Sequence, residues 1–415
     1  MTVQASSDVL QILRERGFIQ QVNDETGLAA HLHKSPVTFY AGFDPTAQSL
    51  HVGSMIPLMA LAHLARAGHQ PIAVLGGGTA MVGDPSGKTE MRQMLMAETI
   101  QENRRLIEPQ VRLFLEAAGD RAIVIDNAEW LVPLHYLEFL RDIGRHFSVN
   151  RMLAAEAYRL RMEKGLSFIE FNYQILQAYD FLVLWRRYGC TLQVGGDDQW
   201  GNILAGNDLI RRLHQAETFA LTFPLITTAS GAKMGKTASG AIWLSAQLTS
   251  PYDFYQYFIN VDDRDVVRFL KLLTFLPMDE INRFATLEGS ELRAAKIALA
   301  GEVTSIIHGN DEAEKARKAA QAAFGGEGES ADLVPTYPVP QESLAAGLKI
   351  VDLLHASGLA GSKSIARRLV EQGGIRVGGR KVTSVDDVIR PEEVPAGGTL
   401  LHAGKKRIRR IIAGS

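Results

Sequence analysis

Apolar residues fall along this chain in short unbroken runs that alternate with amphipathic stretches. Residues 37–43 (VTFYAGF) are rich in β-branched and aromatic side chains and run into the turn Asp44-Pro45-Thr46. The string HVGSMIPLMALAHLARAG predicts a helix from about 51 to 68. PIAVLGGG (71–78) predicts an apolar strand that breaks into a glycine-rich loop. A long polar helix near 98–118 and a third strand, RAIVID (121–126), follow. Strands separated by helices at this spacing imply parallel pairing and an α/β fold, a doubly wound, Rossmann-like sheet. Residues 1–35 read as helical, with a short amphipathic helix at Val9–Arg16.

From 133 to 187 the periodicity is helical, which predicts a helical insertion between two halves of the sheet. The strand pattern resumes with TLQVGG (191–196), a helix from about Gln199, and the strand FALTFPLIT (219–227). The first domain is therefore placed at 1–240. Residues 251–323 predict an all-α domain. Residues 325–341 are rich in Gly and Pro without periodicity and read as a linker. A small α+β module occupies 345–415.

At 415 residues, 46% hydrophobic and 22% charged, the chain has the apolar content of a folded protein, which excludes disordered and fibrous classes. No apolar run reaches the length of a membrane span, and the start lacks the apolar core of a signal peptide. A single cysteine, Cys190, excludes a disulfide framework and a cysteine-cluster metal site. These features together predict a cytoplasmic protein with no membrane partner. The net charge of −2 hides an asymmetry: residues 345–415 hold 13 Lys and Arg against 6 Asp and Glu, net +7, leaving net −9 on the rest. A basic module on an acidic body points to a polyanion such as nucleic acid. Composition alone leaves a solubility effect equally open.

Two phosphate-binding patterns nearly occur. GDPSGKT (83–89) misses the P-loop register by one residue, and Gly76 and Gly78 are followed by Met81 where a dinucleotide fingerprint needs glycine. Register matters because those glycines admit the backbone to the phosphate. HVGS (51–54) sits where a strand's loop enters a helix, and free N–H groups there suit a triphosphate. A plain helix cap is the competing reading of His51. AKMGKT (232–237) offers two lysines and a hydroxyl to a leaving pyrophosphate, or is a solvated basic loop. Tyr173, Gln177 and Asp180 stand at i, i+4 and i+7, so one helix face carries all three. A solvent-facing polar stripe is the alternative.

Taken together, an HxGH-like turn after the first strand and a KMSKS-like loop after the last resemble the signatures of class I aminoacyl-tRNA synthetases. The strings YAGFDPTAQSLHVG, GDPSGK, FLRDIGRHFSVN, SFIEFNYQILQAYDF, LQVGGDDQWGNI and KMGKT resemble the bacterial tyrosyl branch, from about Tyr40 to the C-terminus. The resemblance implies a tyrosine–tRNA ligase, which makes tyrosyl-adenylate from tyrosine and ATP and passes the tyrosyl group to the 3′ end of its tRNA. It implies Tyr40 and Asp180 on the substrate phenol, and Asp84, Tyr173 and Gln177 around the α-ammonium. Gln199 falls at the carboxylate position and Asp198 at the ATP ribose. Asp44, Gly53 and Ser54 lie on the ATP side. Thr46 and His51 match the residues acting on the γ-phosphate, Lys233, Lys236 and Thr237 the mobile signature loop, and Lys88 and Arg92 further cations. Mg²⁺ is implied to arrive with ATP, with no metal site built by the protein.

In such enzymes the insertion forms a homodimer interface across which tRNA lies, and the helical domain serves the anticodon arm. Residues 358–382 resemble a small RNA-binding fold shared with a ribosomal protein. Lys363, Arg367 and Arg368 would stand on a helix capped by Ser362, and Lys405, Lys406, Arg407, Arg409 and Arg410 would add charge. The sequence departs from the signatures at Ser54, where most class I enzymes have histidine, at Ala41 near the ribose, and at Gly235 in the loop. Two rivals differ in class: an RNA-binding paralogue without chemistry, and an unrelated nucleotidyltransferase. The intact polar set argues against the first and its tyrosine-shaped character against the second.

Overall fold

Each apolar run of the first half becomes a strand whose far end opens onto a loop. The computed structural model describes residues 8–86, 94–162, 165–229, 231, 234–237, 240–325, 334–404 and 407–414. Lys88, Arg92, Lys233, Lys405 and Lys406 lie outside the described residues. The chain divides into two units, Met1–Thr227 with Lys271–Met278, and Thr228–Leu270 with Asp279–Ser415.

In the first unit, β1 (Gln21–Val22), β2 (Thr38–Phe43), β3 (Gln70–Leu75), β4 (Ile123–Asp126), β5 (Cys190–Gly196) and β6 (Phe219–Phe223) form one sheet, ordered β1-β6-β5-β2-β3-β4. Strands β2 to β6 pair in parallel. The apolar runs of β2, β3, β5 and β6 are largely buried on both faces, as a sheet covered by helices on each side requires, while β4 at the edge is half-buried. Strand β1 is an addition to the helical reading of 1–35: two residues pair antiparallel with β6 at the edge. Strand β6 stops at Phe223, short of the predicted 227, since Pro224 has no N–H to continue the ladder. The order reverses between β5 and β2, which makes a crevice at the C-terminal strand ends.

Helices α1 (Val9–Arg16), α2 (Glu25–Lys34), α3 (Met55–Arg66) and α4 (Ala97–Leu115) come before β4. Helix α3 is built of Leu, Met and Ala and is almost wholly buried. Helix α5 (Ala128–Leu131) follows β4; the insertion contains α6 (Tyr136–Asp142), α7 (Val149–Leu153), α8 (Glu156–Met162) and α9 (Phe168–Tyr188), with α10 (Trp200–His214) after β5. Ser167 and Glu170 close a capping box that starts α9. Arg161 anchors that box, donating to both Glu170 oxygens at 3.0 and 3.1 Å in a pair with 2% and 4% of the side chains exposed. Breaking so buried a pair strands a charge, so the start of α9 is firmly fixed.

In the second unit, β7 (Lys236–Thr237) and β8 (Gly240–Ala241) form a small hairpin. Helices α11 (Pro251–Ile259), α12 (Val266–Leu273), α13 (Met278–Phe284), α14 (Leu292–His308) and α15 (Asn310–Gly325) match the all-helical expectation. The C-terminal part adds β9 (Thr336–Pro340), α16 (Gln341–Ala345), β10 (Leu348–Lys349), α17 (Ile350–Ala356), α18 (Lys363–Glu371), β11 (Ile375–Val377), β12 (Arg380–Lys381), β13 (Val388–Ile389), β14 (Thr399–Ala403) and β15 (Arg407–Gly414). Its own apolar core runs from Val339 and Leu344 to Leu401 and Ile411.

The 325–341 linker needs correction at its far end. Residues 336–340 are strand β9, parallel to β15 at the edge of the five-stranded sheet. Nor does the module hang free of the helices before it: Arg409 forks onto Asp253 of α11 at 2.6 and 2.9 Å. That guanidinium is held by a carboxylate, not offered to phosphates. Among the described residues, no helix is long and apolar enough to cross a membrane.

Candidate active site

At the C-terminal ends of β2, β3, β5 and β6 the sheet opens into a cavity of about 350 Å³. It collects Tyr40, Asp44, Thr46, His51, Gly53, Ser54, Asp84, Tyr173, Gln177, Asp180, Asp198 and Gln199 from segments far apart in sequence. A larger cleft of about 730 Å³, lined by Arg151, Asp208, Arg211 and Arg212 beside α10, lacks such convergence. Its charges face one another, with Arg151 and Arg211 both on Asp208. The smaller cavity is therefore the candidate site.

One end is deep and polar only at its tip. Asp180 on α9 is 4% exposed; its Oδ1 accepts from Trp130 Nε1 at 2.7 Å and its Oδ2 from Asn127 Nδ2 at 2.9 Å. Burial pushes its pKa up to about 7 against the pull of those two donors. Tyr40 on β2 is buried with no hydrogen-bond partner for its hydroxyl among the described residues, and burial and Asp180 raise its pKa. Gln193, opposite Tyr40 in the β2–β5 register, carries a second such atom, its Oε1. Unpartnered buried polar atoms are costly in a folded core, so this end is shaped for a ligand with a polar tip.

The middle of the cavity is a network. Asp84, reached through Gly83 at φ +87°, accepts from the Ser86 N–H and from Gln199 Nε2, each at 2.8 Å. Gln177 Oε1 accepts from Asn202 Nδ2 at 3.1 Å. Tyr173 donates to Asp44 Oδ2 at 3.0 Å, and Thr79 to Asp44 Oδ1 at 2.8 Å. Asp44 thus joins the Tyr173 side of the cavity as well as the turn. Gly76 has to be glycine here, because a Cβ would collide with Asp44 and Thr79.

The shallow end is the start of α3. His51 Nδ1 accepts from the Gly53 N–H at 2.9 Å, so the cap reading holds, and the ring proton is left on Nε2 as a donor. Thr46 and Ser54 stand beside it. The free N–H groups expected at this turn are not found: Gly53 donates to His51 Nδ1, Ser54 to the His51 carbonyl and Met55 to the Val52 carbonyl. Lys236 and Thr237 belong to β7 in the other unit.

In the module, Ser362 accepts from the Ile365 N–H at 3.2 Å and starts α18, as expected. Arg367 and Arg368 are exposed there, whereas Lys363 pairs with Asp352 at 2.7 Å. Arg407 is half-buried, and its pKa is lowered by burial and by Arg409.

The family profile described as tRNA synthetases class I (W and Y) matches residues 32–325, which span both the cavity and the helices after it. The chain belongs to that family. The S4 domain profile matches residues 348–394 of this synthetase. The tyrosine–tRNA ligases of Clostridium tetani and Caldanaerobacter subterraneus are 50% and 52% identical to it, over 98% and 97% of this chain and 99% of each relative. A C-terminally truncated mitochondrial tyrosyl-tRNA synthetase from Aspergillus nidulans has a TM-score of 0.69 at 33% identity, covering 77% of this chain and 95% of its own. The tyrosyl-tRNA synthetase of Archaeoglobus fulgidus, at 18% identity and TM-score 0.57 over 75% of this chain and all of its own, shares the fold.

Four groups of this synthetase are not foreseen from sequence: Asn127, Trp130, Thr79 and Asn202. Each bonds to a protein side chain that lines the cavity. The available signal was position. Asn127 and Trp130 follow directly on the C-terminal end of β4, where such sheets place ligands.

Proposed function

We infer how the work of a tyrosine–tRNA ligase is divided among these residues. The chain activates tyrosine with ATP and transfers the tyrosyl group to its tRNA. The phenol enters the deep end, where its hydroxyl donates to Asp180 and meets the Tyr40 hydroxyl. The single observation carrying this reading is that pair of buried polar groups, one carboxylate held by two donors and one hydroxyl without a partner. Asp84, Tyr173 and Gln177 take the ammonium, and Gln199 the carboxylate. Asp198 holds the ribose, and Asp44, Gly53 and Ser54 serve the ATP side.

Activation forms a bond from the tyrosine carboxylate oxygen to the α-phosphorus of MgATP and breaks the α–β phosphoanhydride, releasing pyrophosphate. Magnesium enters with the nucleotide. Thr46 and the His51 Nε2–H stabilise charge growing on the leaving phosphates. Lys233, Lys236 and Thr237 serve the leaving pyrophosphate, with Lys88 and Arg92 as further cations. In the second step the terminal adenosine hydroxyl of the tRNA attacks the tyrosyl carbonyl carbon, and AMP leaves. Positioning and charge stabilisation suffice, without a protein nucleophile.

The exposed apolar side chains of Tyr136, Leu137, Val149, Met162 and Phe168 support a homodimer through the insertion. The helices from 251 to 323 serve the anticodon arm. Lys363, Arg367, Arg368, Lys405, Lys406 and Arg407 face tRNA phosphates, for which the net charge of the module is the support. The enzyme works in the cytoplasm, a reading supported by its one cysteine.

A pH profile tests the phenol site. Asp180 accepts from the phenol when ionised, and burial raises its pKa to about 7. Below that pH the protonated form predominates and tyrosine loses its acceptor. We expect kcat/KM for tyrosine in pyrophosphate exchange to rise with pH, with an inflection near 7 that reports the free enzyme. Asp180→Asn should remove the inflection. A flat profile in the parent enzyme across that inflection would contradict the assignment.

A further inference from the structure

We propose that Asn202 is a positioning residue for amino-acid recognition, fixing which way the carboxamide of Gln177 points; this rests on the tyrosine reading. Asn202 lies in the first turn of α10, is 4% exposed, and does not line the cavity. Its Nδ2 lies 3.1 Å from Gln177 Oε1, 3.1 Å from Gln199 Oε1 and 3.3 Å from Ser86 Oγ. Those acceptors come from α9, from the turn before α10 and from the loop after β3. One amide therefore ties three segments together.

The orientation of the set follows from Asp84. An ionised carboxylate only accepts, so Gln199 has to present Nε2 to Asp84 Oδ2, as it does at 2.8 Å. That turns Gln199 Oε1 toward Asn202, which has to answer with its NH₂. The same NH₂ then meets Gln177 with a donor, so Gln177 has to answer with Oε1. A chain of forced choices thus runs from Asp84 through Gln199 and Asn202 to Gln177.

The consequence is electrostatic. A carboxamide oxygen has two lone pairs, and Gln177 Oε1 spends one on Asn202, leaving one for an ammonium N–H. Without Asn202 the Gln177 carboxamide can turn over and present N–H groups to a cation. The ammonium group would then meet a repulsive donor at one of its three proposed partners. A ligand that lacks the ammonium would not register the change.

Three ligands separate this role from a merely structural one: L-tyrosine, tyramine, which keeps the ammonium, and 3-(4-hydroxyphenyl)propionate, which lacks it. Asn202→Ala should weaken tyrosine and tyramine by about tenfold, as loss of one hydrogen bond to a charged group implies, and the propionate by less than about twofold. In exchange assays KM for tyrosine should rise, with KM for ATP and kcat within about twofold. Asn202→Asp keeps the side-chain volume but sets an oxygen against both glutamine oxygens, so it should do at least as much harm. In a Gln177→Ala background the effect of Asn202→Ala on tyramine should fall to less than about twofold. Equal weakening of all three ligands, or full additivity with Gln177→Ala, would overturn the role of Asn202. Failure of the parent enzyme to bind tyrosine would overturn the tyrosine reading, and the proposal with it.

Discussion

Asp180→Ala should lower kcat/KM for tyrosine in pyrophosphate exchange by about 10- to 100-fold, the scale of a lost hydrogen bond to a charged group. KM for ATP should stay within about twofold, because Asp44, Gly53, Ser54 and Asp198, proposed for ATP, are other residues of the cavity. The loss has two sources. The phenol hydroxyl loses a carboxylate acceptor, and Trp130 Nε1 and Asn127 Nδ2 lose the group they both serve. Asp180→Asn fills the same volume and is the folding control. Selectivity should fall with affinity, since phenylalanine has no hydroxyl to lose. Tyrosyl enzymes are themselves the measured example of this rule, at about 10⁵ against phenylalanine without editing, a figure that belongs to those enzymes and not to this structure. Unchanged kcat/KM for tyrosine in a folded Asp180→Ala enzyme would remove Asp180 from the site.

The second large effect concerns the C-terminal module. Removing residues 326–415 should leave tyrosine-dependent pyrophosphate exchange within about twofold and reduce tRNA charging by about 100-fold or more, roughly the loss of two tenfold steps in affinity. The cut belongs after α15, because a cut near 340 would leave β9 without the strand it pairs with. Removing the module also frees Asp253 of Arg409, so Asp253→Asn should be combined with the truncation to avoid an uncompensated carboxylate on α11. The salt dependence adds a second readout. The log–log slope of tRNA affinity against salt should become shallower by about 0.7–0.9 for every phosphate that the module neutralises in the full-length enzyme. Loss of pyrophosphate exchange in a folded truncated enzyme would make the module a support for activation.

How much of this was legible in the residues differs from element to element. The parallel strands were, because runs such as Ile72 to Leu75 are apolar, buried on both faces, and break directly into loops. The face formed by Tyr173, Gln177 and Asp180 was, because 3.6-residue periodicity fixes it. Strand β9 was not. Pro338 and Pro340 read as coil, yet the strand lies at a sheet edge, where missing N–H groups are tolerated. Strand β1 has two residues and no period to detect. Asn127, Trp130 and Asn202 are single polar residues whose partners are distant in sequence, and only the fold brings them together. The charge of the tail was legible, but the commitment of Arg409 to Asp253 was not, since it depends on two elements 156 residues apart.

The most direct test is which amino acid this cavity activates. Pyrophosphate exchange with ATP should be measured for each of the standard amino acids in turn, without tRNA. The proposal that Tyr40 and Asp180 bind the phenol predicts robust exchange with tyrosine, and rates with phenylalanine and tryptophan at or near background. Exchange driven by tryptophan, by another amino acid, or by none would contradict the assignment of the deep end to a phenol.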